Sequence, residues 1–232
     1  MNRNHIIIFS ASILFFSVFT FVYQIKGSAT DYYIPAFKNA IPEEAEIPQE
    51  GKYDVMLDSI CGPITYYNQS DVRWGNYLWG GQDPISTYGC GPTVMAMLIT
   101  SFTGNQVLPP EVADWAAANK SWCPGQGSYH RLITESAAAY GLNVSPIKSY
   151  NIQSLQETIS SGHVIVALMK KGHFTQQGHF IILTRFTENG MLRIIDSNNY
   201  QNALQDWDPN LIIHELNYQA GNGGPLWMIG AP

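Results

Sequence analysis

Charge is what this sequence has least of. Only 13% of its 232 residues are Asp, Glu, Lys or Arg, and the formal net charge is -6. No basic stripe is present, so the electrostatic footprint of a nucleic-acid partner is missing. Cysteine is also scarce. There are three, Cys61, Cys90 and Cys123, with no CxxC pair and no Cys/His spacing of the kind that holds zinc, so no metal or other cofactor is expected. Internal repeats, low-complexity tracts and a P-loop are absent too, which excludes a solenoid and a nucleotide-driven motor. What remains is a globular composition, 45% hydrophobic with 6 Trp and 13 Tyr, in a chain long enough for one sizeable core.

The chain opens on an apolar run from Ile6 to Val22, flanked by Arg3 and Lys26. The run reads as either a cleaved signal peptide, with Gly27 and Ala29 as the small residues before the cut, or a retained membrane anchor. Both readings export the remainder of the chain, as a secreted or membrane-tethered domain. Without residues 1–29, which hold Arg3 and Lys26 and no acid, the balance falls from -6 to -8. Residues 30–52 are rich in Pro and Glu without a sustained period and read as a linker. The domain is placed at 53–232. Export permits disulfides, and an odd count leaves one thiol over; Cys61–Cys123 is the candidate bridge, although nothing local fixes the pairing.

Within the domain, helical signals precede strand signals. Gly91–Phe102 is mostly apolar, begins with Pro92 in its first turn and stops at Gly104. Residues 109–120 start on two prolines. Residues 128–141 are bounded by Ser128 as N-cap and Gly141, and 151–162 by Asn151 and Gly162. Strand-length β-branched and apolar runs come next at 163–169, 179–186 and 191–196, with a hairpin signal at 188–190 and a last short strand at 226–230. Helices first and an antiparallel sheet second predict an α+β fold.

The stretch "YGCGPT" places Cys90 between Gly89 and Gly91 at the head of the first helix. A helix N-terminus favours a thiolate, and the first backbone N–H groups are free donors suited to an oxyanion. The two glycines read as clearance for an incoming carbonyl. The competing reading is a small buried hydrophobe, the usual fate of a free cysteine.

A nucleophilic thiol needs a base. His5 lies in the export segment. His130, inside the third helix, and His214, in a late helix, read as surface or packing residues. His163 begins a strand after a turn, and His173 lies in a polar loop with no acidic residue at a comparable position. His179 is the first residue of the strongest strand. If 187–190 is a four-residue loop, Asp196 lies two residues off His179's partner; a two-residue turn would put it four off. Both registers keep the two on one face, where a carboxylate orients an imidazole. Asp196 also reads as a strand-end turn residue, since "DSNN" is turn chemistry. Gln69 is the candidate second oxyanion donor and Gln82 its reserve; glutamines in turns are commonly just exposed.

The segments "YYNQSDVRWG", "YGCGPTVMAMLITSFTG", "PPEVADWA", "YGL", "KKGHFTQQGHFIIL" and "IIDSN", spanning 66–198, together resemble the papain-like cysteine peptidases akin to bacteriocin-processing, double-glycine-leader peptidases. The resemblance implies a papain-like fold, with the nucleophile helix among helices packed on a C-terminal antiparallel sheet. It implies Cys90 as nucleophile, His179 as base, Asp196 as its orienter and Gln69 as oxyanion donor, with a peptide or protein as substrate. Asp71 and Trp74 match the same pattern and read as packing. The chain departs from the transporter-linked members in lacking a P-loop and further membrane spans, so the double-glycine substrate does not carry over. Trp74, Trp79 and Trp122 read either as cleft walls or as buried core. The same thioester chemistry would serve a cell-wall amidase or endopeptidase, or a transglutaminase-like acyl transferase, and a tethered binding domain with a dead site is the non-enzymic alternative.

Overall fold

The computed structural model describes residues 53–232. The expected export segment, 1–29, and linker, 30–52, lie outside the described residues.

The chain first makes a small antiparallel pair, β1 (Val55–Leu57) and β2 (Ile64–Tyr66). A second pair comes next, β3 (Leu78–Trp79) and β4 (Asp83–Pro84), and then a single turn of helix, α1 (Ile85–Tyr88). The central helix, α2 (Cys90–Thr103), is buried along its length from Gly91 to Ile99. Such all-round burial is why its sequence is apolar on every side rather than striped. Gly104 ends it at φ 73° and returns its N–H to the carbonyl of Thr100.

Around α2 pack α3 (Pro109–Ala118), the hairpin β5 (Trp122–Cys123) and β6 (Gly127–Ser128), and α4 (Arg131–Ala139). The expected N-cap of α4, Ser128, is instead in β6, and His130 takes the cap position. The strand β7 (Asn143–Pro146) comes next, then α5 (Ile152–Ser160), whose Asn151 side chain accepts from Ser154 N as a true N-cap.

The sheet is completed by β8 (Val164–Met169), β9 (His179–Phe186), β10 (Leu192–Asp196) and β11 (Leu226–Gly230). A 3₁₀ turn at Tyr200–Ala203 and α6 (Pro209–His214) lie between the last two strands. The order is β10-β9-β8-β11-β7, antiparallel throughout.

Both faces of the sheet are covered. Val164, Val166, Phe180, Ile182 and Trp227 join the core around α2, while Ile165, Ala167, Ile181 and Leu183 join a second core with Leu155 and Ile159 of α5 and Ile212 of α6. Burial on both sides accounts for β8 and β9 reading as continuous apolar runs without alternation. The fold is α+β, as expected, with helices including α2 layered on an antiparallel sheet.

Candidate active site

Cys90 is the first residue of α2 and is half-buried. At that position a helical N–H has no acceptor within the helix. The flanking glycines are closely packed by the protein's own atoms. A Cβ on Gly91 would lie 2.5 Å from Ser128 Oγ and 2.8 Å from Leu132 Cδ2, and one on Gly89 would lie 2.5 Å from Ile85 Cγ2. Both glycines thus serve the protein's own packing, letting α1, β6 and α4 close around the head of α2.

His179 opens β9 and is buried at 4% exposure; Asp196 closes β10 at 1%. His179 Nε2 lies 2.6 Å from Asp196 Oδ1. A carboxylate can only accept, so Nε2 carries the proton there. That leaves Nδ1 as the ring nitrogen available to the Cys90 thiol, whose pKa His179 lowers.

At Asp196 the register is the one expected from a four-residue loop, but it is reached through a different turn and a bulge. The hairpin closes with Phe186 opposite Leu192 and Arg185 opposite Arg193, after which Ile194 pairs with Leu183. Thr184 is left over as a bulge, its Oγ1 donating to Arg193 O at 3.1 Å and its carbonyl accepting from Ile60 N at 3.1 Å. Beyond the bulge Asp196 pairs with Ile181, two residues from His179 and on its face.

The surroundings set the charges. Burial pushes the Cys90 thiol up, but the hydrogen bond and charge of His179, with the backbone N–H groups of Phe180 and Gly91, outweigh it and leave the thiol below its ordinary value. Burial pushes His179 down, yet Asp196 and the Cys90 sulfur together raise it to about 10. Burial alone would raise Asp196; His179, the Asn198 N–H and the Asn202 side chain hold it below the usual carboxylate range. All three shifts favour a thiolate, an imidazolium and a carboxylate side by side.

Gln69 and Gln82 separate clearly. Gln82 is exposed and reaches only its neighbour Asp83. Gln69 is buried, its backbone N–H on Ser197 O at 2.8 Å, its Oε1 accepting from Ser197 Oγ at 3.2 Å and its Nε2 donating to Ser86 O at 2.9 Å. It therefore ties the residue after Asp196 to the segment just before Cys90, and one of its two amide hydrogens goes to Ser86.

Trp74 and Trp79 are core residues, whereas Trp122 is half-buried over Trp79 and donates to Asp83. Asp71 is fully buried, accepts from Tyr53 N and pairs with Arg73, which is the packing role expected of it. The Cys61–Cys123 bridge is not formed, and all three cysteines are free thiols. Cys61 is exposed and donates to Gly162 O, while Cys123 lies beside Tyr129, so the two belong to different neighbourhoods. His173 does have an acid: Glu215, from the end of α6, accepts from its backbone N–H at 2.8 Å and meets Nδ1 at 2.5 Å. No local spacing could have announced a partner 42 residues away. His130 is at the cap of α4 rather than inside it, and its Nδ1 accepts from Gly221 N. Among the described residues no group of three or more His, Cys, Asp or Glu could hold a metal ion, and no helix is long and apolar enough to cross a membrane.

A central helix headed by Cys90 and packed on an antiparallel sheet that carries His179 and Asp196 makes an α+β fold of the papain-like class. The model of the Peptidase_C39 like family matches residues 63–221, and the chain belongs to that family. Among solved structures it is similar to the peptidase domain of Streptococcus ComA, a bi-functional ABC transporter involved in a quorum-sensing pathway. That match has 17% identity and a TM-score of 0.47, covering 63% of this chain and 93% of that one. It is similar also to a putative C39-like peptidase from Bacillus anthracis, with 14% identity and a TM-score of 0.46, covering 62% and 90%. No curated protein matches the sequence.

Proposed function

We propose that this chain is a cysteine peptidase acting outside the membrane, with Cys90 as nucleophile, His179 as acid and base, Asp196 as orienter and Gln69 as an oxyanion donor. One observation carries the reading: a buried carboxylate holds an imidazole at 2.6 Å, and that imidazole lowers the pKa of the thiol at the head of the central helix.

The protonation states set the chemistry. The Cys90 thiolate attacks the carbonyl carbon of a peptide bond, and the carbonyl π electrons move to oxygen. The developing oxyanion is stabilised by the Cys90 N–H and a Gln69 amide N–H. The His179 imidazolium gives its Nδ1 proton to the peptide nitrogen, the C–N bond breaks and the amine leaves, with the acyl group held as a thioester on Cys90. Neutral His179 then takes a proton from water as it attacks the thioester; the C–S bond breaks, releasing the acid and regenerating the thiolate–imidazolium pair. Asp196 keeps its charge throughout and holds the ring in the tautomer that aims Nδ1 at sulfur.

Export is supported by the apolar run from Ile6 to Val22. The deciding experiment treats the purified protein with a thiol-reactive peptidyl ketone at neutral pH and digests a peptide library in parallel with purified peptidoglycan. Labelling of Cys90 and peptide cleavage that Cys90→Ala abolishes are expected. Unlabelled Cys90 in folded protein would overturn the enzyme assignment, and products from peptidoglycan alone would move the substrate to the cell wall.

A further inference from the structure

The two oxygens of the Asp196 carboxylate are held in different ways. Oδ1 accepts from His179 Nε2 and from the backbone N–H groups of Asn198 at 2.9 Å and Asn199 at 3.3 Å. Any turn after a strand-end Asp can supply such backbone donors. Oδ2 accepts from a side chain, Asn202 Nδ2 at 2.7 Å, and among the described residues no other donor reaches it.

Asn202 is itself held. It is buried at 7% exposure in the 3₁₀ turn Tyr200–Ala203, which Asn199 begins by accepting from Gln201 N. Its own N–H returns to Asn199 O at 3.1 Å. Its carbonyl accepts from Trp207 Nε1 at 2.8 Å, and Trp207 exchanges both backbone hydrogen bonds with Leu192 at the start of β10. The loop between Asp196 and Trp207 is thus closed onto the strand at both ends. The Trp207 ring packs at 4.6 Å on Phe174, which lies in the segment leading into His179.

The last torsion of an aspartate side chain is broad and roughly two-fold, so a carboxylate gripped at one oxygen can swing about that grip. Gripped at both, its plane is fixed, and with it the line along which Oδ1 meets the imidazole. We infer that Asn202 is a positioning residue for the reaction, acting through Asp196 to hold the His179 ring toward Cys90. The inference rests on the triad reading and extends it to a residue that touches neither the reacting sulfur nor the ring.

The test uses the full chain carrying Asn202→Leu, Asn202→Ser or Asn202→Ala. Leucine keeps most of the volume without a donor, serine keeps a donor on a shorter side chain, and alanine differs from serine by one hydroxyl. The first readout is the rate of iodoacetamide alkylation of Cys90 against pH, taken as the difference from Cys90→Ala because Cys61 and Cys123 are also free. The second is kcat and KM on a cleaved peptide. Asn202→Leu should raise the apparent thiol pKa by about one pH unit and lower kcat about tenfold, with KM within about twofold. Asn202→Ser should keep more of both than Asn202→Leu and Asn202→Ala. If Asn202→Leu does not fold, the serine–alanine comparison decides by the same order. A wild-type profile in Asn202→Leu beside an impaired Asn202→Ser would show that Asn202 only fills space and would overturn the proposal, as would equal profiles for serine and alanine. If wild-type Cys90 is alkylated only in the ordinary thiol range, the triad reading itself fails and the proposal falls with it. A depressed wild-type thiol that no Asn202 variant moves defeats the Asn202 proposal alone.

Discussion

Asp196 pairs with Ile181 in the β9–β10 ladder because Thr184 has no partner there. The register set at Phe186 and Leu192, carried on without interruption, would place Asp196 opposite Ile182 and turn it to the other face from His179. The bulge at Thr184 restores the parity and thereby makes the 2.6 Å contact between Asp196 Oδ1 and His179 Nε2.

Asp196→Ala should cost both activity and stability, in separable amounts. It removes the group that orients His179, so kcat/KM on a peptide substrate should fall by about two orders of magnitude. It also leaves a buried imidazolium without its counter-charge, a loss of about 3 kcal/mol, which a denaturant titration would read as a lowered midpoint at unchanged slope. Retained activity at full stability would mean that the ring is oriented by something else.

Much of this site was legible because its parts sit on long elements. The α2 pattern ran from Pro92 to Gly104, and β8 and β9 were unbroken apolar runs, so Cys90 and His179 could be placed at element ends before any contact was known. Shorter features carried too little signal. The pairs β1–β2, β3–β4 and β5–β6 are two or three residues per strand, and β7 ends on Pro146, which reads as a breaker although an edge strand tolerates it. Sequence parity placed Asp196 on the correct face while missing both the hairpin length and the bulge, two errors that cancelled. The hydrogen bonds of Asn202 and of Glu215 with His173 depend on loop closure, which leaves no periodic trace.

The pH dependence should show a broad plateau bounded by two groups of one coupled pair. Activity rises as Cys90 ionises, earlier than an ordinary thiol because the His179 charge outweighs burial, and falls when the imidazolium loses its proton near pH 10. Stability has related limits. His179 is raised from 6.5 to about 10 on folding, so its contribution is complete below 6.5 and lost as pH rises through about 10. Asp196 is lowered from 3.8, so its contribution is present above that value and lost on acidification below it. Thermal melts from pH 3 to pH 11 should therefore show maximal melting temperature between these limits. A rate still climbing at pH 10 would contradict the pair.

Gln69→Ala tests the oxyanion role against the bridging role. Loss of one oxyanion donor costs about 10²-fold in kcat and leaves KM near its starting value. The side chain also bonds Ser197 and Ser86, so some stability should go as well, about 1 kcal/mol for neutral hydrogen bonds. Gln82→Ala serves as the comparison, its side chain being exposed and bonded to Asp83 at 3.4 Å, and should leave both quantities unchanged. Equal effects from the two glutamines would remove Gln69 from the site.

The glycines beside the catalytic candidates should respond in opposite ways. Gly91→Ala forces a methyl to within 2.5 Å of Ser128 Oγ and 2.8 Å of Leu132 Cδ2 in a packed interior, and should destabilise by about 1–3 kcal/mol. Gly178, immediately before His179, has nothing within 4 Å of a built Cβ and no positive φ, so Gly178→Ala should keep the wild-type melting temperature. Its activity then becomes informative. A folded Gly178→Ala protein with raised KM would show that the open space at Gly178 is where substrate passes, whereas unchanged kinetics would put the substrate path elsewhere. The pair of variants separates clearance needed by the fold, at Gly91, from clearance left for a ligand, at Gly178.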